Sequence, residues 1–367
     1  MVWREAVIEA EQARWAGAIQ YLARLTDGSE VRALAYPEQV GEPSIGERVI
    51  LSAAAALAGL GTGGVMFVVA LPDRLPSDPE PQPGHIVKAR YTPSQWMTLG
   101  VDEQQSPYHD LLQDASSIDG MPVITADLHS ALPAIAYTIH SLRPGTRVAY
   151  VMSDGGALPA WFSRAGACLR ELGLIEGTIS VGQAYGGELE AVNVHTGLLA
   201  AKLVWDADIA IVAQGPGNLG TDTRWGFSGV NLASAMQAAH TLHGIAIAAL
   251  RLSNGDARER HYGISHHSLR VLTEATFVPV QVAAPEWSAG DPFTQKLEAS
   301  FIEAYQRGLR ELEASANLSM VPVPTNGLGD LLRSCPVPLS TMGRSLETDP
   351  ASFIGAAAAG AYAVTLL

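Results

Sequence analysis

The sequence predicts an α/β fold: a mostly parallel, Rossmann-like sheet covered by helices, preceded by a small N-terminal β-barrel-like domain. Three observations point there. Beyond Gly120, apolar strand-like runs alternate with helical patterns, which implies βαβ units and a parallel sheet. Those runs are apolar throughout, as strands buried on both faces must be. Up to about Gly100 the pattern differs, with short β-prone runs at roughly ten-residue spacing and no long helical period.

Size and composition agree with this division. At roughly 100–200 residues per domain, a chain of 367 residues makes two. Residues 1–100 are expected to form the β-rich domain, 101–120 the connection and 121–367 the parallel α/β domain. Hydrophobic residues at 47 % against 16 % charged require a large buried fraction and exclude a disordered chain. A formal net charge of −14 repels phosphate backbones and anionic lipid, so neither nucleic acid nor membrane is an expected partner. The two cysteines, Cys168 and Cys335, make neither a disulfide framework nor a zinc-ligand spacing. Met1-Val2-Trp3-Arg4-Glu5 does not read as a signal peptide, which makes a cytoplasmic location the expectation.

In the first domain the expected strands are Ala6–Ala10, Ala18–Leu25, Val31–Tyr36, Arg48–Ser52, Val65–Leu71 and His85–Tyr91, with Asp27-Gly28 as a hairpin turn. The uncharged stretch Val49–Pro72 is long enough for a membrane span, but its central glycines divide it into two buried strands joined by a turn. Prolines from Pro72 to Pro83 leave Asp73–Gly84 as an extended loop. In the second domain strands are expected at Pro122–Ala126, Arg147–Ser153, Thr178–Gly182, Ala207–Ala213, Gly244–Arg251, Phe277–Ala283 and Leu318–Pro324. Helices are expected between them at Leu132–Ser141, Ala160–Glu171, Glu188–Trp205, Ser228–Leu242, Ile264–Thr273 and Pro292–Glu313, and Phe353–Leu367 as a core helix. The spatial order of the strands is not readable from these patterns.

Loops leaving parallel strands emerge at one edge of the sheet, and ligands bind at that edge. Here those loops are rich in Gly, Asp, Glu, His and Thr: Asp127-Leu128-His129-Ser130, Asp154-Gly155-Gly156, Gln183 to Glu190, Gly215 to Thr223, and Ser253 to His267. The loops entering the strands look like ordinary turns. Helix capping alone favours some of these residue types, so the asymmetry counts for more than any single residue.

Gly215, Gly217 and Gly220 match G-x-G-x-x-G directly after a strand, where backbone amides with Thr221, Thr223 and Ser228 can hold a phosphate or other anion. The loop is not in the first βα unit and lacks an acidic residue at the next strand end, which argues against a nicotinamide cofactor. His261, His266 and His267 lie close to Asp256, Arg258 and Arg260. Imidazoles beside a carboxylate suit a divalent metal, with His129 as a further ligand candidate and Asp127 or Glu188 completing the set. Equally, His261 or His266 suits general acid–base work, oriented by Asp154 or Asp256, and His129 is a further catalytic candidate. Adjacent His266 and His267 are expected to point apart from a helix start. Arg258 and Arg260 suit a carboxylate or phosphate clamp, and Arg344 can add another cation to the pocket. Glu188 at a helix start can serve the helix dipole instead of a ligand.

Taken together, Gly59 to Gly64, Lys88-Ala89-Arg90-Tyr91-Thr92-Pro93, Asp127-Leu128-His129-Ser130, Ser153 to Pro159, the glycine loop and Arg258 to His267 resemble an uncharacterised bacterial family, a domain of unknown function of the 3866 type. The likeness spans most of the chain and departs at Asp127, where the family shows Glu before Leu-His-Ser. It implies kinship and supplies no activity, cofactor or catalytic residue.

The leading functional expectation is an enzyme acting on a small anionic ligand, phosphorylated or nucleotide-like, at the C-terminal edge of the sheet. A non-catalytic metabolite sensor or scaffold is the alternative. A third reading makes the barrel a nucleic-acid module, since Arg14, Arg24, Arg32, Arg48, Lys88 and Arg90 are interleaved with aromatic residues. Self-association as a homo-oligomer is left open.

Overall fold

The computed structural model describes residues 1–61 and 63–367. Thr62, in the glycine turn expected between two strands, lies outside the described residues.

Strands β1 (Trp3–Trp15), β2 (Ala18–Leu25), β3 (Glu30–Ala35), β4 (Arg48–Ser52) and β5 (Met66–Ala70) close into a barrel in the order β1-β2-β3-β5-β4. All pairs are antiparallel except β3 with β5. Ile8, Ile19, Tyr21, Leu51 and Val68 fill its interior. β1 is longer than Ala6–Ala10 because register shifts after Ile8 and Glu11 bend it, so that one strand serves both β2 and β4. Asp27-Gly28 makes the expected hairpin, with Gly28 at φ +87° and the Ser29 amide donating to Asp27 Oδ1 at 2.9 Å. The stretch Val49–Pro72 contributes two antiparallel strands, β4 and β5, as expected, with a short helix Ala54–Leu57 ahead of the glycines. A separate hairpin follows, β6 (Ile86–Lys88) with β7 (Trp96–Thr98).

The second part contains β8 (Pro122–Ala126), β9 (Val148–Ser153), β10 (Gly177–Ser180), β11 (Leu189–Glu190), β12 (Ile209–Gln214), β13 (Ile245–Ala249), β14 (Leu252–Ser253), β15 (Gly263–Ile264), β16 (Val280–Glu286), β17 (Leu318–Pro324), β18 (Ser340–Thr341) and β19 (Arg344–Ser345). Eight of them form one sheet in the order β11-β10-β9-β12-β8-β13-β16-β17, every neighbour pair parallel. β14–β15 and β18–β19 are small antiparallel hairpins.

Alternate residues of each strand feed opposite layers. Val123, Ala149, Val151, Ala210 and Val212 pack with helices Val194–Leu203, Leu232–Thr241 and Ala299–Glu313. Ile124, Tyr150, Ile209 and Ile211 pack with helices Leu132–Leu142 and Pro350–Val364. Small residues let the last two helices approach closely: a Cβ on Gly360 would meet the Ile135 carbonyl oxygen at 2.8 Å.

Several helices begin later than their periodicity suggests. The segment expected as helix Glu188–Trp205 opens instead with β11 and becomes helical only at Val194, where the Asn193 side chain accepts the Thr196 amide. Extended Leu189–Glu190 adds an eighth strand to the sheet. Pro292–Glu313 is a short 3-10 turn at Thr294–Lys296 followed by a helix from Ala299. Among the described residues no helix is long and apolar enough to cross a membrane.

The chain first places β8, steps to β9, β10 and β11 on one side, returns with β12 into the slot between β9 and β8, and then builds β13, β16 and β17 on the other side. The reversal leaves β12, β8 and β13 adjacent at the sheet centre, and their exits diverge from one crevice.

Candidate functional site

Each of the three central strands contributes its exit residues to one cavity of about 160 Å³. Leu128 leaves β8, with Asp127 behind it, the glycine loop leaves β12, and Arg251 leaves β13 on the way to the excursion that carries Arg258, Arg260, His261, His266 and His267. β14 and β15 pair across that excursion and return the chain to Ser265, which caps the short helix His266–Arg270 by accepting the His267 amide. The histidines are thus held from both ends.

The imidazoles of His261, His266 and His267 form one cluster, with ring centroids 4.4 to 5.1 Å apart. One ring nitrogen or equivalent donor from each lies within 4.8 Å of the others. His266 and His267 therefore do not point apart. At the first turn their side chains lean back toward the helix N-terminus, where His261 already sits. His261 Nδ1 is 2.8 Å from Ser265 Oγ, and His267 Nδ1 lies 3.2 Å from Asp127 Oδ2 and 2.9 Å from Arg251 Nη1. The His267 ring stacks on Phe227 with centroids 4.0 Å apart and planes 5° apart. His266 Nδ1 is buried and has no hydrogen-bond partner among the described residues.

Burial, then the charges of Arg251 and Arg258, lowers His261 from 6.5 to about 3. Burial and then the neighbouring His267 lower His266 to about 4. Both rings are neutral at pH 7. For Asp127, burial opposes ionisation, but the contacts with His267 and Arg251 outweigh it and hold the carboxyl below its usual range.

Each guanidinium at the cavity has a carboxylate: Arg251 with Asp127 at 2.7 Å, Arg258 with Asp256 at 2.8 Å, and Arg260 with Asp222. Asp256 is buried, also meets Arg344 at 3.2 Å, and is held well below its usual range chiefly by the hydrogen bond from Arg258. It positions Arg258 and does not itself line the cavity. Arg344 is turned to Asp256 and Asp349, away from the lining. Arg260 Nε is buried with no hydrogen-bond partner among the described residues.

Within the glycine loop, Gly220 and Thr223 line the cavity, and Gly217 takes φ +103°. Several loop amides are used internally: Leu219 on Ser228 Oγ, Thr221 on the Gly226 carbonyl and Gly226 on Thr223 Oγ1. Thr221 Oγ1 lies 3.1 Å from Thr223 Oγ1. Gly215 packs against Leu158, where a Cβ would come within 2.6 Å of Cδ2.

The other candidates lie elsewhere. His129 is half-buried, with Nε2 2.7 Å from Ser163 Oγ and Nδ1 3.1 Å from the Tyr150 hydroxyl, and desolvation lowers it to about 4. It is outside the imidazole cluster. Asp154 accepts the amides of Gly156, Ala157 and Gln183, tying the β9 exit to the β10 exit. Glu188 is not at a helix start. It precedes β11, accepts the Thr178 amide at 2.7 Å, pairs with Arg170 at 3.3 Å and lines a second cavity of about 250 Å³ beside Trp161 at the barrel seam. In the barrel, Arg14 pairs with Glu11 and Glu42, Arg24 with Glu9 and Glu30, and Arg48 with Glu5 and Asp73.

Sequence reasoning missed Arg251, Asn218 and Ser265. Arg251 carried a signal, as the sole charge ending an apolar strand run. Asn218, which donates to Asp127 Oδ1 at 3.1 Å, and Ser265 carried none beyond their loop positions. Lys88 was read only as a surface cation. Its ammonium is buried, donating to the carbonyls of Ser180, Ala184 and Ala191 and pairing with Glu190 at 2.8 Å.

The geometry thus defines an α/β protein with a polar crevice at its central strand exits. By sequence comparison the chain belongs to the family described as Protein of unknown function (DUF3866), which matches over residues 32–360. No curated protein and no solved structure matches it.

Proposed function

We propose that the chain is an enzyme acting on a small anionic substrate, phosphorylated or nucleotide-like, bound in the cavity at the β12, β8 and β13 exits. One observation carries this reading. Two buried polar atoms on residues that line one cavity, Arg260 Nε and His266 Nδ1, have no hydrogen-bond partner among the described residues. Leaving such a group unsatisfied costs about 1–3 kcal/mol, and a bound oxyanion relieves it at the guanidinium. Arg258 and Arg260 keep side-chain exposures of 40 % and 36 %, so each can turn its planar donors from a carboxylate of the chain to one of a ligand. The imidazole cluster beside them supplies the groups for chemistry. A cavity of about 160 Å³ suits a phosphate with a small attached fragment and is too small for a dinucleotide. The cysteines are both free, in keeping with a reducing cytoplasm.

Calorimetric titration with inorganic phosphate, a nucleoside monophosphate and a sugar monophosphate tests the reading. Saturable binding is expected for at least one, weakened roughly 10- to 100-fold in Arg260→Ala with the melting temperature retained, as a charged hydrogen bond of about 1.5–3 kcal/mol requires. Phosphorus NMR of the same mixtures then reads turnover. Absence of binding for all three, or affinity indifferent to Arg260→Ala, sinks the proposal.

A further inference from the structure

We propose that His261, His266 and His267 form a binding site for a divalent cation of the zinc class, leaving a coordination position for an oxygen of the substrate. The inference concerns the cavity of the anion reading and rests on it only for what fills that last position. Three imidazoles supply the donor type and number found at open zinc sites, where three protein ligands leave room for water or substrate.

The remaining contacts of the rings favour this use. A ligating histidine ordinarily donates its other ring nitrogen to a carboxylate, carbonyl or hydroxyl, which sets the tautomer and fixes the ring. His267 Nδ1 faces both Arg251 Nη1 at 2.9 Å and the buried Asp127 carboxylate at 3.2 Å. A metal selects the tautomer that donates to Asp127, leaving Arg251 to the same carboxylate at 2.7 Å, and His261 Nδ1 faces Ser265 Oγ at 2.8 Å. Both rings then keep Nε2 for a metal. His266 instead offers Nδ1, which is buried and has no hydrogen-bond partner among the described residues. The donor atoms of the three lie within 4.8 Å of one another. A tetrahedral zinc with bonds of 2.0–2.1 Å separates its ligands by about 3.4 Å, so the rings have up to about 1.4 Å to close. His266, at the helix start and half-buried, has the freedom to do so.

The arginines that disfavour positive charge at His261 and His266 are each paired with a carboxylate, Arg251 with Asp127, Arg258 with Asp256 and Arg260 with Asp222, which limits the repulsion a dication meets. The excess positive charge of arginines and ion together recruits the anion.

The test is titration of the full-length chelator-treated protein with cobalt(II), read by visible absorption, together with zinc competition against a fluorescent chelator. The expected result is one equivalent per chain with ligand-field bands of a four- or five-coordinate site. Affinity should fall roughly 100-fold or more in His266→Gln, whose melting curve reports that the fold is retained. His261→Gln gives the same loss from the other side of the cluster. No bands and no competition at stoichiometric metal, or equal affinity in wild type and His266→Gln, would falsify the site. Phosphate titration of the metal-free protein separates the two readings. Binding there with no cobalt site overturns this inference alone, whereas a cobalt site with no phosphate response in either form overturns the anion reading alone.

Discussion

Two stretches of one sheet edge carry the same kinds of residue and use them in opposite ways. At the β9, β10 and β11 exits, Asp154 and Glu190 accept backbone amides, and Glu190 pairs with the buried Lys88 ammonium, itself donating to three carbonyls. The barrel closes over this side: Trp15 Nε1 donates to the Trp161 carbonyl at 2.7 Å, and the Trp161 ring fits against Gly17 and Gly186. At the β12, β8 and β13 exits the barrel is absent from the cavity lining, and Arg260 Nε and His266 Nδ1 are left unpaired. A polar strand exit therefore marks a demand for hydrogen bonds. Unmet demand alone does not separate the two sides, since Ser180 Oγ at the end of β10 also has no hydrogen-bond partner among the described residues; the open side differs in that its unpaired atoms belong to residues lining a cavity.

The largest expected effect breaks the closed side. Lys88→Met strands the Glu190 carboxylate and removes the donor to three carbonyls, and should lower stability by about 3–5 kcal/mol, as loss of one partner of a buried pair does. The denaturant midpoint measures it. A change below a kilocalorie would show that the closed side is not held together by this pair.

Next comes pH. His129 is lowered from 6.5 to about 4 by burial, so the unfolded chain takes up its proton at higher pH than the native one. Its contribution is complete above 6.5 and is lost as pH falls toward 4, with a ceiling of about 3 kcal/mol. Chemical denaturation of wild type and His129→Gln between pH 7 and 4.5 should show the steeper decline in wild type. Parallel declines would remove His129 as the cause.

On the open side, Ser265→Ala deletes the helix cap and the hydroxyl beside His261, and should cost about 1 kcal/mol in thermal stability. The smallest effect sharpens the contrast. Glu188→Gln, in the seam cavity, should leave phosphate affinity within about twofold, since it shares no partner with the histidine cluster. A larger change would join the two sides into one site.

The residues themselves show how far the sequence could be read. Pro122–Ala126 was legible to the residue, because a fully buried strand is a continuous apolar run bounded by polar loops, and Leu318–Pro324 was legible too, although as the edge strand it is largely half-buried or exposed. Glu188–Trp205 was not, since helical periodicity continues through residues that the sheet edge captures as β11. Gly220, Thr223, Arg258, Arg260, His261, His266 and His267 were singled out from their loops and do share a cavity, whereas Asp154, Glu188 and His129 had the same credentials and do not. Lys88 was illegible, because a lysine in a short strand looks the same from its neighbours whether it faces water or three carbonyls.

Local chemistry by itself determined the two architectures, the hairpin at Asp27-Gly28, most of the strands and the edge at which polar residues gather, since each depends on residues close in the chain. Only the tertiary structure decided that β12 inserts between β9 and β8, which sets Asp127, Arg251 and the histidines together and sends Asp154 and Glu188 to the barrel side. Strand order depends on packing between segments about 60 to 120 residues apart, and no local pattern encodes which of two equally polar exits will be covered.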